Sequence, residues 1–228
     1  MARQPRITLP GVPHHLQLRG HNRQPICHDE EDRRRLLADL RDALREHQVP
    51  LHGYAVLPTA LHLLVTPAQS DDVGRLLQSL SRRYVSAFNA RHGRSGSLWE
   101  GRYRAHLVAD DTSLLACLRL LELAAAEAGQ RDASSLPHHL GQRRDPLVTD
   151  PPAYWALGNT PFDREAAYRQ AVEQGVTPAE QAAVDAALRS GRPWGTPAAL
   201  QSVEKQVGRS LVARPRGRPR KLQKAVPN

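Results

Sequence analysis

Leu51-His52-Gly53-Tyr54-Ala55-Val56-Leu57 and Leu61-His62-Leu63-Leu64-Val65-Thr66, held apart by Pro58-Thr59-Ala60, decide the reading of this chain. Both runs suit a pleated, buried surface, and the proline between them cannot extend a sheet ladder, so the stretch reads as a β-hairpin. Upstream, His14-His15-Leu16-Gln17-Leu18-Arg19 alternates like a half-buried strand between the turn residues Pro10-Gly11 and Gly20. Asp29 follows as an N-cap, with Glu30, Glu31 and Asp32 in a first turn where negative charge suits the helix dipole. Leu36, Leu37, Leu40 and Leu44 then recur at helical spacing, predicting a helix over residues 30–47.

Downstream of the hairpin, Asp71 or Asp72 opens a second helix with Val73, Leu76, Leu77, Leu80, Tyr84 and Phe88 on one face, broken by Gly93, Ser95 and Gly96. A loop ending in Trp99-Glu100-Gly101-Arg102 leads into a strand from Tyr103 to Val108. Thr112 or Ser113 starts a third helix, rich in Leu and Ala, that ends by Gly129. Strand, helix, strand, strand, helix, strand is the order of a split βαβ, ferredoxin-like sheet, so the expected class is α+β, with this domain over residues 1–130.

Residues 131–161, rich in Pro, Asp and Arg without a sustained period, read as a connecting arm. Over residues 162–208 helical signals return three times: Asp163 as a cap for residues 164–174, the capping box Thr177-Pro178-Ala179-Glu180, and Thr196-Pro197 ahead of Leu200, Val203 and Val207. These short helices read equally as a small helix-turn-helix unit or as a structural addition. Residues 209–228 are a basic tail.

The chain carries 32 Lys and Arg against 23 Asp and Glu, a formal charge of +9, and the excess is concentrated. Arg209, Arg214, Arg216, Arg218, Arg220, Lys221 and Lys224 occupy the tail without an acidic neighbour. Arg82, Arg83, Arg91, Arg94, Arg102 and Arg104 form a second concentration opposed only by Glu100. Localised positive charge is the footprint of a polyanion, because neutralising phosphates releases condensed counterions; nucleic acid is the first reading and a solvated basic surface the alternative. Cys27 and Cys117 have no metal-ligand spacing, no charged-then-apolar leader opens the chain, and no apolar run approaches a membrane span. A cytoplasmic location without a disulfide or membrane contact is expected.

Several short motifs in a fixed order resemble the REP-associated tyrosine transposases, relatives of the single-tyrosine HUH transposases. They are Arg6-Ile7, Gly11, His15 and Arg19-Gly20; Leu57-Pro58 with His62-Leu63-Leu64; Tyr84, Phe88-Asn89 and Arg91-His92-Gly93; Leu98-Trp99-Glu100-Gly101-Arg102-Tyr103; Ser134-Ser135; and Gly217-Arg218-Pro219-Arg220-Lys221. The resemblance implies a strand bearing His-apolar-His, whose two imidazoles share one face and hold Mg²⁺ or Mn²⁺ against the scissile phosphate, and a helix tyrosine that attacks phosphorus. It also implies hairpin or single-stranded DNA as partner, and pairing into a homodimer.

This sequence departs from that pattern at both reacting positions. His-apolar-His falls on Ala60-Leu61-His62, and the nucleophile's stretch reads Arg119-Leu120-Leu121-Glu122-Leu123-Ala124-Ala125, with Leu120 in the tyrosine position. The expectation is a DNA-binding protein with no intact catalytic residue and no cofactor. His62 is either a relic metal ligand, needing His15, His52 or Glu122 beside it, or a hydrogen-bonded structural residue. The competing readings are an active transposase using Tyr84 or Tyr103 with a divalent metal, and a relic without a role. The tail segment Arg214-Pro215-Arg216-Gly217-Arg218-Pro219-Arg220-Lys221 resembles an AT-hook, slim enough for a narrow minor groove and so suited to duplex DNA.

Overall fold

The structure, a computed structural model, describes residues 7–208. Arg6 and the tail cations Arg214, Arg216, Arg218, Arg220 and Lys221 lie outside the described residues. Four strands, β1 (His14–Arg19), β2 (Leu51–Leu57), β3 (Ala60–Val65) and β4 (Arg104–Leu107), form one antiparallel sheet in the order β2-β3-β1-β4. Helices α1 (Glu30–His47) and α2 (Asp72–Arg91) connect β1 to β2 and β3 to β4, so the element order is the one the sequence predicts. The hairpin turn is Pro58-Thr59 alone, because Ala60 already pairs with Leu57.

Period-two alternation gives the sheet two different faces. Leu16, Leu18, Tyr54, Val56, Leu61, Leu63 and Val65 pack under α1 and α2 in the larger core. His15, Gln17, Ala60, His62, Leu64, Arg104 and His106 occupy the opposite face, in register across β3, β1 and β4. Helix α3 (Asp111–Glu127) covers part of that second face, joining Cys117, Leu118 and Leu121 to Ala55, Leu64 and Val108. Its N-cap is Asp110, whose carboxylate accepts from the Ser113 amide, two or three residues ahead of the expected start.

Residues 131–161 carry more order than their composition suggests. After a 3-10 turn at Arg131–Ala133, Ser134 bridges to Ala55 at the sheet edge, followed by the single-turn helices α4 (Leu136–His139) and α5 (Pro152–Trp155). Three longer helices complete the described chain: α6 (Pro161–Glu173), α7 (Pro178–Ser190) and α8 (Pro197–Val207). Helix α6 begins earlier than predicted, since Thr160 is the cap and Asp163 is the returning member of its capping box. Tyr168 of α6 packs in the α3 core, and Val184 and Leu188 of α7 pack against Leu120 of α3. Trp194, after α7, exchanges backbone hydrogen bonds with β4 and its extension: its N–H donates to Leu107 O at 2.9 Å and its carbonyl accepts from Ala109 N–H at 2.8 Å. Among the described residues, no helix is long and apolar enough to cross a membrane.

Two glycines test this packing in opposite directions. A Cβ at Gly53 would sit 2.2 Å from Cδ1 of the fully buried Leu118, whereas one at Gly74, on the exposed side of α2, would meet nothing within 4 Å. Gly53→Ala is expected to lose about 1–3 kcal/mol in urea unfolding through overpacking. Gly74→Ala is expected to gain about 0.5–1 kcal/mol by removing backbone entropy from the unfolded chain.

Candidate functional site

The second sheet face carries an unbroken line of hydrogen-bonded imidazoles. Nδ1 of His106 lies 3.1 Å from the Leu107 carbonyl; a carbonyl only accepts, so that nitrogen bears the hydrogen and Nε2 is left to accept. His15 Nδ1 then donates to His106 Nε2 at 3.1 Å, His62 Nδ1 donates to His15 Nε2 at 2.9 Å, and the Gln17 amide donates to His62 Nε2 at 3.1 Å. Every ring is neutral in this chain and every nitrogen is satisfied. Burial pulls His62 and His106 down to about 4, and burial together with its two imidazole neighbours holds His15 well below the ordinary histidine range.

The structure therefore brings His15 to His62 and leaves the other two suggested partners elsewhere. His52 lies between the Thr149 carbonyl, 2.7 Å from Nδ1, and the Thr66 hydroxyl, 2.8 Å from Nε2. Gln17 and His106 escaped the sequence reading. Period-two alternation assigns each a face of its own strand, but only the register across β4-β1-β3 aligns them with His62.

Ala60, His62 and Leu120 are all at least nine-tenths buried, and α7 packs on Leu120. Leu120 is closed in by Val184 and Leu188, while the Asp185 carboxylate of the same helix acts electrostatically on His62. Helix α7 is fastened by this apolar contact, by an Arg119–Glu180 ion pair of 2.8 Å, and by the Trp194 backbone bonds. The residues do not fit a divalent ion set against a phosphate. Position 60 offers a methyl group, and both nitrogens of His62 are engaged. Tyr84 is no substitute nucleophile: its hydroxyl donates to the Ile26 carbonyl at 2.5 Å, and burial drives its pKa far upward. Tyr103 is half-buried and packs against the larger core.

Glu122, two residues beyond Leu120, points away from the imidazole line into a separate polar centre. It is wholly buried and accepts from Ser135 Oγ at 2.5 Å, His139 Nδ1 at 2.6 Å and the Tyr168 hydroxyl at 2.7 Å, joining α3 to the sheet-edge segment, α4 and α6. Burial disfavours the His139 cation, but the charge and hydrogen bond of Glu122 outweigh it, with Asp150 3.7 Å from the other ring nitrogen, and raise the pKa.

The basic residues divide by partner. Arg83 pairs with Glu46 at 2.5 Å; Arg91 pairs with Asp29 at 2.7 Å and also with Asp32; Arg94 donates to Gln24 at 3.1 Å and lies over the Phe88 ring. Arg82 and Arg102 are exposed and Arg104 half-buried. Arg82 lines a shallow groove of about 490 Å³ with Gln78, Ser81, Ser86, Asn89 and Trp99, and the indole N–H of Trp99 has no hydrogen-bond partner among the described residues.

No protein-family model matches the chain, and no curated protein does. Among solved structures, a REP-associated tyrosine transposase bound to a REP hairpin superposes with a TM-score of 0.53 at 14% identity, over 67% of this chain and 96% of that one. A Deinococcus radiodurans R1 protein assigned as a transposase aligns at 27% identity over 49% of this chain and 89% of its own, with a TM-score of 0.37, too loose to support any argument. The first likeness is one of fold, and it agrees with the resemblance in the sequence motifs.

The buried centre sets a pH dependence. A histidine whose folded pKa is raised stabilises the fold fully below its unfolded value of about 6.5 and loses that contribution as pH climbs through the folded value. Above about pH 7.5, where the buried histidines of lowered pKa are neutral in the folded and unfolded chain alike, the melting temperature is expected to fall as pH rises, and Glu122→Gln should flatten this slope while costing about 3–5 kcal/mol at neutral pH. An unchanged slope in the variant, followed by calorimetry, would refute the role given to Glu122.

Proposed function

We propose that this chain, which has the fold of a REP-associated tyrosine transposase, binds structured DNA and does not cleave it. The reading is carried by one observation: where strand cleavage would need two imidazoles and a hydroxyl open to a phosphate, the chain has a methyl group, a leucine packed against α7 and one imidazole with both nitrogens hydrogen-bonded, all of them buried. Deleting an enzymatic nucleophile can alone cost on the order of 10⁶-fold. With the metal pair incomplete as well, the supported activity is recognition.

The DNA contacts of this domain are assigned to Arg82 and Arg102, the exposed members of the cluster, because Arg83 and Arg91 already hold carboxylates and Arg104 lies on the other sheet face beside Gln17. The serine-rich groove beside Arg82 offers hydroxyl and amide donors to a phosphodiester backbone. This surface is expected to favour hairpins, the ligand of the solved transposase. The basic tail, with Arg214, Arg216, Arg218, Arg220 and Lys221, adds affinity for any duplex.

Fluorescence anisotropy across a salt series separates the two parts. Arg82→Ala with Arg102→Ala should weaken hairpin binding and reduce the logarithmic salt slope by roughly 0.9 for each phosphate no longer neutralised. Arg83→Ala should leave binding nearly unchanged. Truncation after Gly208 should weaken hairpin and duplex alike. Hairpin binding by the double variant with an unaltered slope would remove this surface from consideration.

A further inference from the structure

We infer that His15, His106 and Cys117 form a buried site for a monovalent, thiophilic metal ion, copper(I). Each residue presents one donor atom, and the three donors lie within 4.8 Å of one another. All three side chains are essentially inaccessible to solvent. The donors come from β1, β4 and α3, so the tertiary fold assembles the group, and no local sequence spacing could reveal it.

Both histidines already have the outer partners that ligating imidazoles require. His106 donates its Nδ1 hydrogen to the Leu107 carbonyl, leaving Nε2 as a lone pair. That lone pair faces His15 Nδ1 at 3.1 Å. With metal–nitrogen bonds of about 2.0 Å in a trigonal arrangement, the two nitrogens would sit about 3.5 Å apart, so the rings need to part by only a few tenths of an ångström. On binding, His15 moves its hydrogen from Nδ1 to Nε2 and donates to His62. His62 in turn moves its hydrogen to Nε2 and donates to the Gln17 amide oxygen after that amide rotates. Each imidazole keeps one hydrogen, and Cys117 releases the only proton that leaves.

The charge balance selects the ion. Cys117 sits among Leu64, Val108, Leu114 and Leu118, and the group includes no carboxylate. Zinc(II) with one thiolate and two neutral imidazoles leaves a net positive charge in those surroundings and lacks its usual fourth ligand, whereas copper(I) makes the assembly neutral and suits soft thiolate ligation. The second histidine group, His138, His139 and Asp150, fails the same test, because it offers a hard carboxylate and no thiolate to a soft monovalent ion.

Full-length apoprotein mixed anaerobically with the coloured copper(I)–bicinchoninate complex should withdraw one copper per chain and release one proton. X-ray absorption of that product should show one sulfur and two nitrogen neighbours, a readout that needs no variant. Since loss of outer partners alone costs about 10–100-fold in affinity, Cys117→Ser should weaken copper(I) by about 100-fold or more, with Cys27→Ser as the unaffected control. Absence of withdrawal by the wild type, a sulfur-free copper environment, undiminished binding by folded Cys117→Ser, or retention of zinc(II) in preference to copper(I) would each overturn the assignment.

Discussion

A line of imidazoles can cross the middle of a buried sheet face only if every ring nitrogen finds a partner, and much of the second half of this chain follows from that requirement. A neutral ring has one hydrogen to give and one lone pair to fill, so the line needs an acceptor at one end and a donor at the other. The Leu107 carbonyl and the Gln17 amide are those ends. An unpaired polar group enclosed there would be costly, and the saturated line allows α3 and α7 to close over the face.

The closing elements are themselves held by a polar centre. Glu122 ties α3 to Ser135, His139 and Tyr168, so one carboxylate fixes the sheet-edge segment, α4 and α6 together. Ion pairing through Arg119 and the backbone bonds of Trp194 then set α7 over Leu120. Leu120 and Glu122, two positions apart on one helix, point about 200° apart, one into an apolar lid and the other into a hydrogen-bonded staple. Ala60 and Leu120, where the motif resemblance would place reacting groups, are both buried side chains in this fold.

The sheet domain was legible in the sequence because its signals are local. Alternation in His14–Arg19, the proline-centred hairpin and the leucine stripe of α1 each fall where periodicity predicts, within one or two residues. Ala60 and Leu120 were legible as substitutions only through the motif resemblance. What escaped depends on long-range register: the alignment of Gln17 with His62 and of His15 with His106, and the convergence of Ser135, His139 and Tyr168 on Glu122. Residues 131–161 read as a plain arm because short helices and a single bridge leave no period to detect, and their order comes from tertiary hydrogen bonds. Charge counting found the basic concentrations, but it could not show that Arg83 and Arg91 are neutralised by carboxylates brought from α1 and its cap.

Recognition without cleavage is tested most directly by incubating the full-length protein with an end-labelled DNA hairpin bearing single-stranded flanks, with Mg²⁺ or Mn²⁺. Each reaction is divided between a native and a denaturing gel. The expected result is a retarded complex on the native gel, with intact DNA and no covalent protein–DNA adduct on the denaturing one. A metal-dependent adduct, mapped to a tyrosine and lost on its replacement by phenylalanine, would contradict it.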